Sequence, residues 1–123
     1  MADEPLSFSN ALQFLIGEYL SSVTFVMDYV QLSFSGPSLT VYTTVQKVIK
    51  GGFVQSWGEP GFRDALCNII AHNLEQANVV SGELLSLTFD DGSIWSVSLR
   101  DEDYRGPEAI QYRDEQRELW YVF

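Results

Sequence analysis

A chain of 123 residues and 13.9 kDa is the size of one domain, and 46% hydrophobic content is enough for a genuine core. Seventeen acidic residues against seven basic ones leave a net charge of −10, which repels phosphate backbones and anionic headgroups and argues against nucleic acid or a membrane surface as partner. The acid is uneven: residues 1–58 carry four acids and two bases (−2), residues 59–123 thirteen and five (−8), so any electrostatic function belongs to the second half.

The N-terminal MADEPLSFSN has no basic region leading into an apolar stretch, and no window approaches the roughly eighteen apolar residues of a membrane span. Cys67 is the only cysteine, so no internal disulfide can form. The expected location is cytoplasmic.

From Ala11 the apolar residues Ala11, Leu12, Leu15, Ile16 and Leu20 keep helical spacing, and the same spacing returns at Ala65, Leu66, Ile69, Ile70 and Leu74. ALQFLIGEYLSSVTFV is thus echoed by ALCNIIAHNLEQANVV, and after a one-residue slip LSFSGPSL (32–39) by LTFDDGSI (87–94). Each stripe predicts a helix of about ten residues. Ser9 or Asn10 caps the first helix and Asp64 the second, where its charge also suits the dipole.

Two strands follow each helix. SVTFVMDYVQLSF reads as a strand to about Val26, a tight turn near Asp28 and a second strand to Phe34. FDDGSI places Asp91-Gly92 in a type I′ turn, and FSGPSL gives Gly36 the positive φ of a type II′ turn with Pro37 next. Further strands are expected over Leu39 to Val48, Phe53 to Trp57 and Ile94 to Leu99, with GEPGFRD (58–64) joining the two units. The apolar end, Trp120 to Phe123, is expected to be a strand buried in the sheet or against a second subunit.

His72 is the natural place to look for acid–base chemistry. On the second helix, however, it lies about 140° around the axis from Cys67 and about 12 Å along it from Asp64, so it reads as a solvent-edge residue. Cys67 reads as a small half-buried side chain. Asp90 and Asp91 are turn residues; without a downstream bidentate glutamate they make no calcium loop.

The stretch LRDEDYRGPEA (99–109) gathers Asp101, Glu102, Asp103 and Glu108 around Arg100 and Arg105. Its plainest reading is a charged loop tied down by its own ion pairs, with Pro107 opening a short helical turn that Glu108 suits. Its sharper reading is an acidic face for a partner, extended by Asp114, Glu115 and Glu118. Trp57 and Arg63 in SWGEPGFRDAL have the composition of a protein contact, although Trp57 and Phe62 also serve to cover the helix ends.

GFRDAL, the paired LIG-type helices and LRDEDYRGPEA together resemble a family of small uncharacterised bacterial proteins, the likeness covering most of the chain. The resemblance implies a bacterial cytosolic protein. It carries no reaction and no catalytic residue.

The expected fold is a single α+β domain over residues 1–123, made of two helix-plus-hairpin units (about 8–57 and 62–123) related by a pseudo-twofold. Mostly antiparallel strands form one curved sheet or a partly open barrel covered by the two helices. The expected function is a non-enzymatic interaction module whose acidic half meets a basic protein through Asp101, Glu102, Asp103, Arg105, Glu108, Trp57 and Arg63, an immunity or regulatory protein being one form. A homodimer through Trp120 to Phe123 goes with it, and no cofactor or metal is expected. The second class is a small-ligand-binding protein or enzyme with a pocket between helix and sheet lined by Trp57, Trp95, Tyr104 and His72.

Overall fold

The computed structural model describes residues 7–122. Its strands are β1 (Leu20–Val26), β2 (Tyr29–Phe34), β3 (Ser38–Val41), β4 (Gln46–Lys50), β5 (Phe53–Ser56), β6 (Leu74–Val80), β7 (Leu84–Phe89), β8 (Ile94–Ser98), β9 (Ile110–Asp114) and β10 (Leu119–Val122). Two short helices, α1 (Phe8–Leu12) and α2 (Phe62–Cys67), precede β1 and β6. The α+β class holds in its coarse form, with strands dominant.

Both helices are about half the predicted length. α1 passes into a single 3-10 turn, Gln13–Leu15, and stops because Gly17 takes φ +90°, a left-handed conformation that glycine adopts without strain. Leu20 and Leu74 therefore enter the core from the first residue of β1 and of β6, not from a helix face. A stripe that continues from helix into strand looks like one long helix in sequence. Ser7, one residue outside the described helix and two before the expected cap, accepts the Asn10 amide at 3.1 Å; α2 has no side-chain cap and keeps Asp64 in its first turn.

The strands form two five-stranded antiparallel sheets, where one was expected: β1-β2-β3-β9-β10 and β5-β4-β8-β7-β6. The predicted strand from Leu39 to Val48 is in fact two. β3 belongs to the first sheet and β4 to the second, and the chain crosses between them at residues 42–45. The hairpin β4-β5 thus pairs with β8, and β9-β10 returns to pair with β3. Three segments of each half are consecutive neighbours, and each half sends its remaining hairpin to the other's sheet.

At the centre the halves bond directly. The Gly17 amide donates to the Leu74 carbonyl and the Ala71 amide to the Leu20 carbonyl, both at 2.8 Å; the Leu20 amide reaches the His72 carbonyl at 3.1 Å and the Leu74 amide the Glu18 carbonyl at 2.9 Å. A bridge between Tyr19 and Asn73 joins the same stretches, and both β1 and β6 carry an irregularity two residues in, at Leu20/Ser22 and Leu74/Gln76. Nearby, the rings of Phe34 and Phe89 stack within 3° of parallel. One cluster of buried side chains contains the inward residues of both sheets.

Two turns differ from their expected types. In FDDGSI the Phe89 amide donates to the Ser93 carbonyl and the Gly92 amide to the Phe89 carbonyl. Residues 90–92 are thus a three-residue loop with positive φ at Gly92 alone. In FSGPSL the Phe34 amide donates to the Pro37 carbonyl, making Ser35 and Gly36 the central pair.

The crossing segments are held by buried polar groups. Trp95, fully buried, donates its indole N–H to Gln46 Oε1 at 3.0 Å, Gln46 Nε2 donates to the Thr43 carbonyl at 2.9 Å, and the Thr43 hydroxyl donates to the Asp103 carbonyl at 3.0 Å. Each buried group gains a partner, as burial requires. Tyr112 differs: among the described residues its enclosed hydroxyl makes no hydrogen bond of good geometry, although the Asp114 carboxylate is close enough to act on it. Burial, and then the Asp114 carboxylate, hold its pKa well above the ordinary 10.0. Its neutral form is therefore favoured by folding, so stability is complete below pH 10 and falls as pH rises beyond it. Tyr112→Phe is expected to match or exceed the wild type by about 1 kcal/mol at neutral pH and to lose less stability than the wild type between neutral and alkaline pH, as read by urea denaturation. A neutral-pH loss larger than that would mean the hydroxyl is bonded.

Among the described residues β10 is an edge strand. Trp120 is 66% exposed rather than buried in the sheet, because it and Val122 point away from the core while Leu119 and Tyr121 are half-buried; Phe123 lies outside the described residues. No helix among the described residues is long and apolar enough to cross a membrane.

Candidate functional site

The acidic stretch 99–109 is the crossing from β8 in the second sheet to β9 in the first. Asp101–Asp103 form a 3-10 turn, whereas Pro107 opens no helix. Beyond the backbone bonds of that turn, the loop's charged side chains reach the body and not one another. Arg100 Nε meets Glu83 at 3.1 Å, Arg105 meets Asp28 at 3.7 Å, the Asp103 carboxylate accepts the Ser98 hydroxyl, and the Ala109 carbonyl accepts the Tyr42 amide at 2.8 Å. Asp114 is not part of an acidic surface: it is fully buried and accepts Arg117 Nη1 at 2.9 Å. Glu115 and Glu118 remain exposed. Among the described residues no three histidine, cysteine or carboxylate side chains converge as a metal site would need.

His72 is not on a helix. It lies in the turn before β6, and its Nδ1 stands 2.8 Å from Asp90 Oδ1, a partner eighteen residues away that helical geometry gave no reason to expect. Asp91 beside it accepts the Ser93 amide and hydroxyl, each at 2.9 Å, and pairs with Lys50 at 3.2 Å. Burial alone would raise the Asp91 pKa; the Ser93 bonds and Lys50 outweigh it and hold the carboxyl below its ordinary 3.8. The group ties the β7-β8 hairpin to its surroundings. Cys67 is exposed, not half-buried, because α2 ends there.

Four concavities account for most of the candidate residues. The first, about 410 Å³, lies between the β1-β2 turn and the 57–64 loop and brings Trp57 and Arg63 together with Phe25 and Met27. Arg63 lies over the Phe25 ring at 5.4 Å, and Trp57 packs edge-on against Phe62. The second, about 640 Å³, lies over the outer face of the second sheet and includes Trp57, Lys47, Ser96 and Asp103. A third of about 320 Å³ holds Arg105 and Glu108 beside Asp28, Tyr29 and Tyr42. A fourth of about 310 Å³ holds Asp101 and Tyr104 beside Phe8. Glu102 is exposed and lines none of these. The four residues proposed to share a pocket do not meet: Trp95 is buried in the core, Trp57 and Tyr104 line different concavities, and His72 lines none of the four.

Sequence reading missed Met27 and Lys47. Met27 is 95% exposed with φ +36°, an unusual backbone conformation for a side chain of its size. Lys47 was legible only once β4 was recognised, since its alternation Gln46 in, Lys47 out, Val48 in then follows.

Comparison with protein-family models, with curated proteins and with solved structures finds no match to this chain. Function must therefore be argued from the surface just described.

Proposed function

We propose that the protein is a non-enzymatic interaction module of the cytoplasm that binds a basic protein partner through the end formed by the β1-β2 turn, the 57–64 loop and the 99–109 crossing. The observation that carries this is Met27, held fully in water at positive φ beside the Phe25–Trp57–Phe62 aromatic group. Local strain and an exposed, adaptable apolar side chain are both features of contact sites. Asp28, Glu59 and Asp64 border it; Asp28 already meets Arg105 at 3.7 Å and Arg63 is stacked on Phe25, whereas Glu59 and Asp64 form no ion pair among the described residues, so a cationic partner finds two carboxylates open to it. Neutralisation of a basic toxin is one form of this activity, and the resemblance to small bacterial proteins is compatible with it.

The test is capture of a partner from the source cell by the full chain. A basic protein retained at low salt and released at high salt is expected, with Met27→Asp, a change at an exposed position, weakening retention by about tenfold or more. No partner at low salt, or retention indifferent to salt, would remove the reading.

We also propose that the halves are copies of one unit related by a pseudo-twofold, with their second hairpins exchanged. The four central hydrogen bonds support this, since each donor and acceptor lies 54 residues from its counterpart, as do Tyr19 and Asn73. The β10 edge supplies a self-contact: no strand among the described residues lies beyond it, and Trp120 and Val122 stand exposed on it. Sedimentation equilibrium is expected to show a dimer that Trp120→Glu converts to monomer; a wild-type monomer at high concentration would exclude it.

A further inference from the structure

We infer that the concavity over the outer face of the second sheet binds a small carboxylate with an apolar body. The inference does not rest on the partner surface, with which the concavity shares Trp57, Arg100 and Asp103 at its rim.

Strand register fixes what the concavity contains. Lys47 on β4 lies across from Ser56 on β5 and from Ser96 on β8. In the adjoining row the Ser98 amide bonds the Val45 carbonyl, Ser98 pairs with Leu84, and Leu84 with Val80. A row of hydroxyls around one ammonium therefore runs beside a row with three exposed aliphatic side chains. A volume of about 640 Å³ is in the range of small-molecule sites.

Two of these side chains have no partner in the protein. Among the described residues Lys47 is the one lysine or arginine with neither a carboxylate nor an aromatic ring against it. Lys50, Arg100, Arg105, Arg113 and Arg117 are ion-paired, and Arg63 covers Phe25. In a chain of net charge −10 an unpaired cation is a departure that asks for a ligand. Ser96 is only 6% exposed, faces the same space, and its hydroxyl makes no hydrogen bond among the described residues. A nearly buried hydroxyl left open towards a concavity is normally satisfied by what enters it.

Charge decides the class. The Lys47 ammonium and the Ser96 O–H both donate, and a carboxylate accepts both. A second negative charge finds no further free cation, since Glu83 already holds Arg100 at 3.1 Å and Asp103 stands at the same rim. A monoanion therefore fits and a phosphate dianion does not. The rest of the ligand lies on Val45, Leu84 and Val80, where apolar area leaves water.

The test is an NMR titration of the full chain with sodium octanoate, octanamide and inorganic phosphate. Octanoate is expected to give saturable shifts centred on the amides of Lys47, Ser96 and Leu84, with octanamide and phosphate weaker by about tenfold or more. Lys47→Gln is expected to weaken octanoate to the same degree while leaving the rest of the spectrum in place, Lys47→Arg to retain binding, and Lys50→Gln to change nothing. Absence of saturation, shifts centred elsewhere, equal binding of octanamide or phosphate, or indifference to Lys47→Gln would each overturn the inference.

Discussion

Replacing Trp95 by alanine is expected to cost about 3–5 kcal/mol, among the largest single losses in this chain. The side chain is fully buried on β8, and its indole N–H is the donor that satisfies Gln46 Oε1 at 3.0 Å. Truncation removes the apolar area and also strands a buried acceptor, and the second effect contributes about 1–3 kcal/mol on its own. Since a domain of this size is stable by only about 5–15 kcal/mol, Trp95→Ala should sit near the edge of unfolding. Trp95→Phe separates the parts, because it keeps most of the ring area and loses only the donor. Urea denaturation with an unchanged slope reads both. A cost below about 1 kcal/mol for alanine would mean that Trp95 is not a core residue.

The second large effect lies where the halves meet. Phe34 ends β2 and Phe89 ends β7, opposite Leu20 and Leu74 respectively, and their rings stack 6.4 Å apart between centroids. Either residue changed to alanine should cost about 3–5 kcal/mol. The double variant should cost about 1 kcal/mol less than the two singles together, because a stacked aromatic pair is lost only once. Additivity within about 0.5 kcal/mol would mean that the rings do not touch and that the sheets are stabilised independently.

How much of this was legible in the sequence depends on distance along the chain. The β1-β2 and β7-β8 hairpins follow from local alternation and from turn residues such as Gly92, so they could be read directly, although the loop around Asp91 takes three residues and not two. The spacing of Leu12, Leu15, Ile16 and Leu20 recurs at Leu66, Ile69, Ile70 and Leu74, and both stripes begin in a short helix and end in a strand. Their helices were overread, since nothing in that spacing tells where a helical stripe gives way to a strand. The exchange of hairpins was not legible at all. LTVYTTVQKV contains no glycine or proline, so the crossing at 42–45 looks like continuous strand, and the bonds that fix it come from Trp95 and Asp103, some fifty residues or more away. β9 was overlooked for a simpler reason: its alternation is present, but Asp114 was read as a surface acid when it is the buried partner of Arg117.

The candidate site shows the same division. Trp57 and Arg63 are near in sequence and line one concavity, while in 99–109 Arg100 finds Glu83, Arg105 finds Asp28 and Asp103 accepts the Ser98 hydroxyl through the fold. His72 had no partner within reach on a helix, and gained Asp90 only because its turn lies against the β7-β8 hairpin. What distinguishes the surface is therefore geometry at Met27 and Lys47, two residues whose types alone say little.

The contact surface proposed at the Met27 end can be tested by site-directed photocrosslinking. A photoreactive amino acid placed at position 27 of the full chain, activated in the source cell, should yield a discrete adduct with a basic protein, suppressed when the ionic strength of a lysate is raised before activation. Adducts that are absent, that form equally at high salt, or that contain only acidic proteins would contradict it.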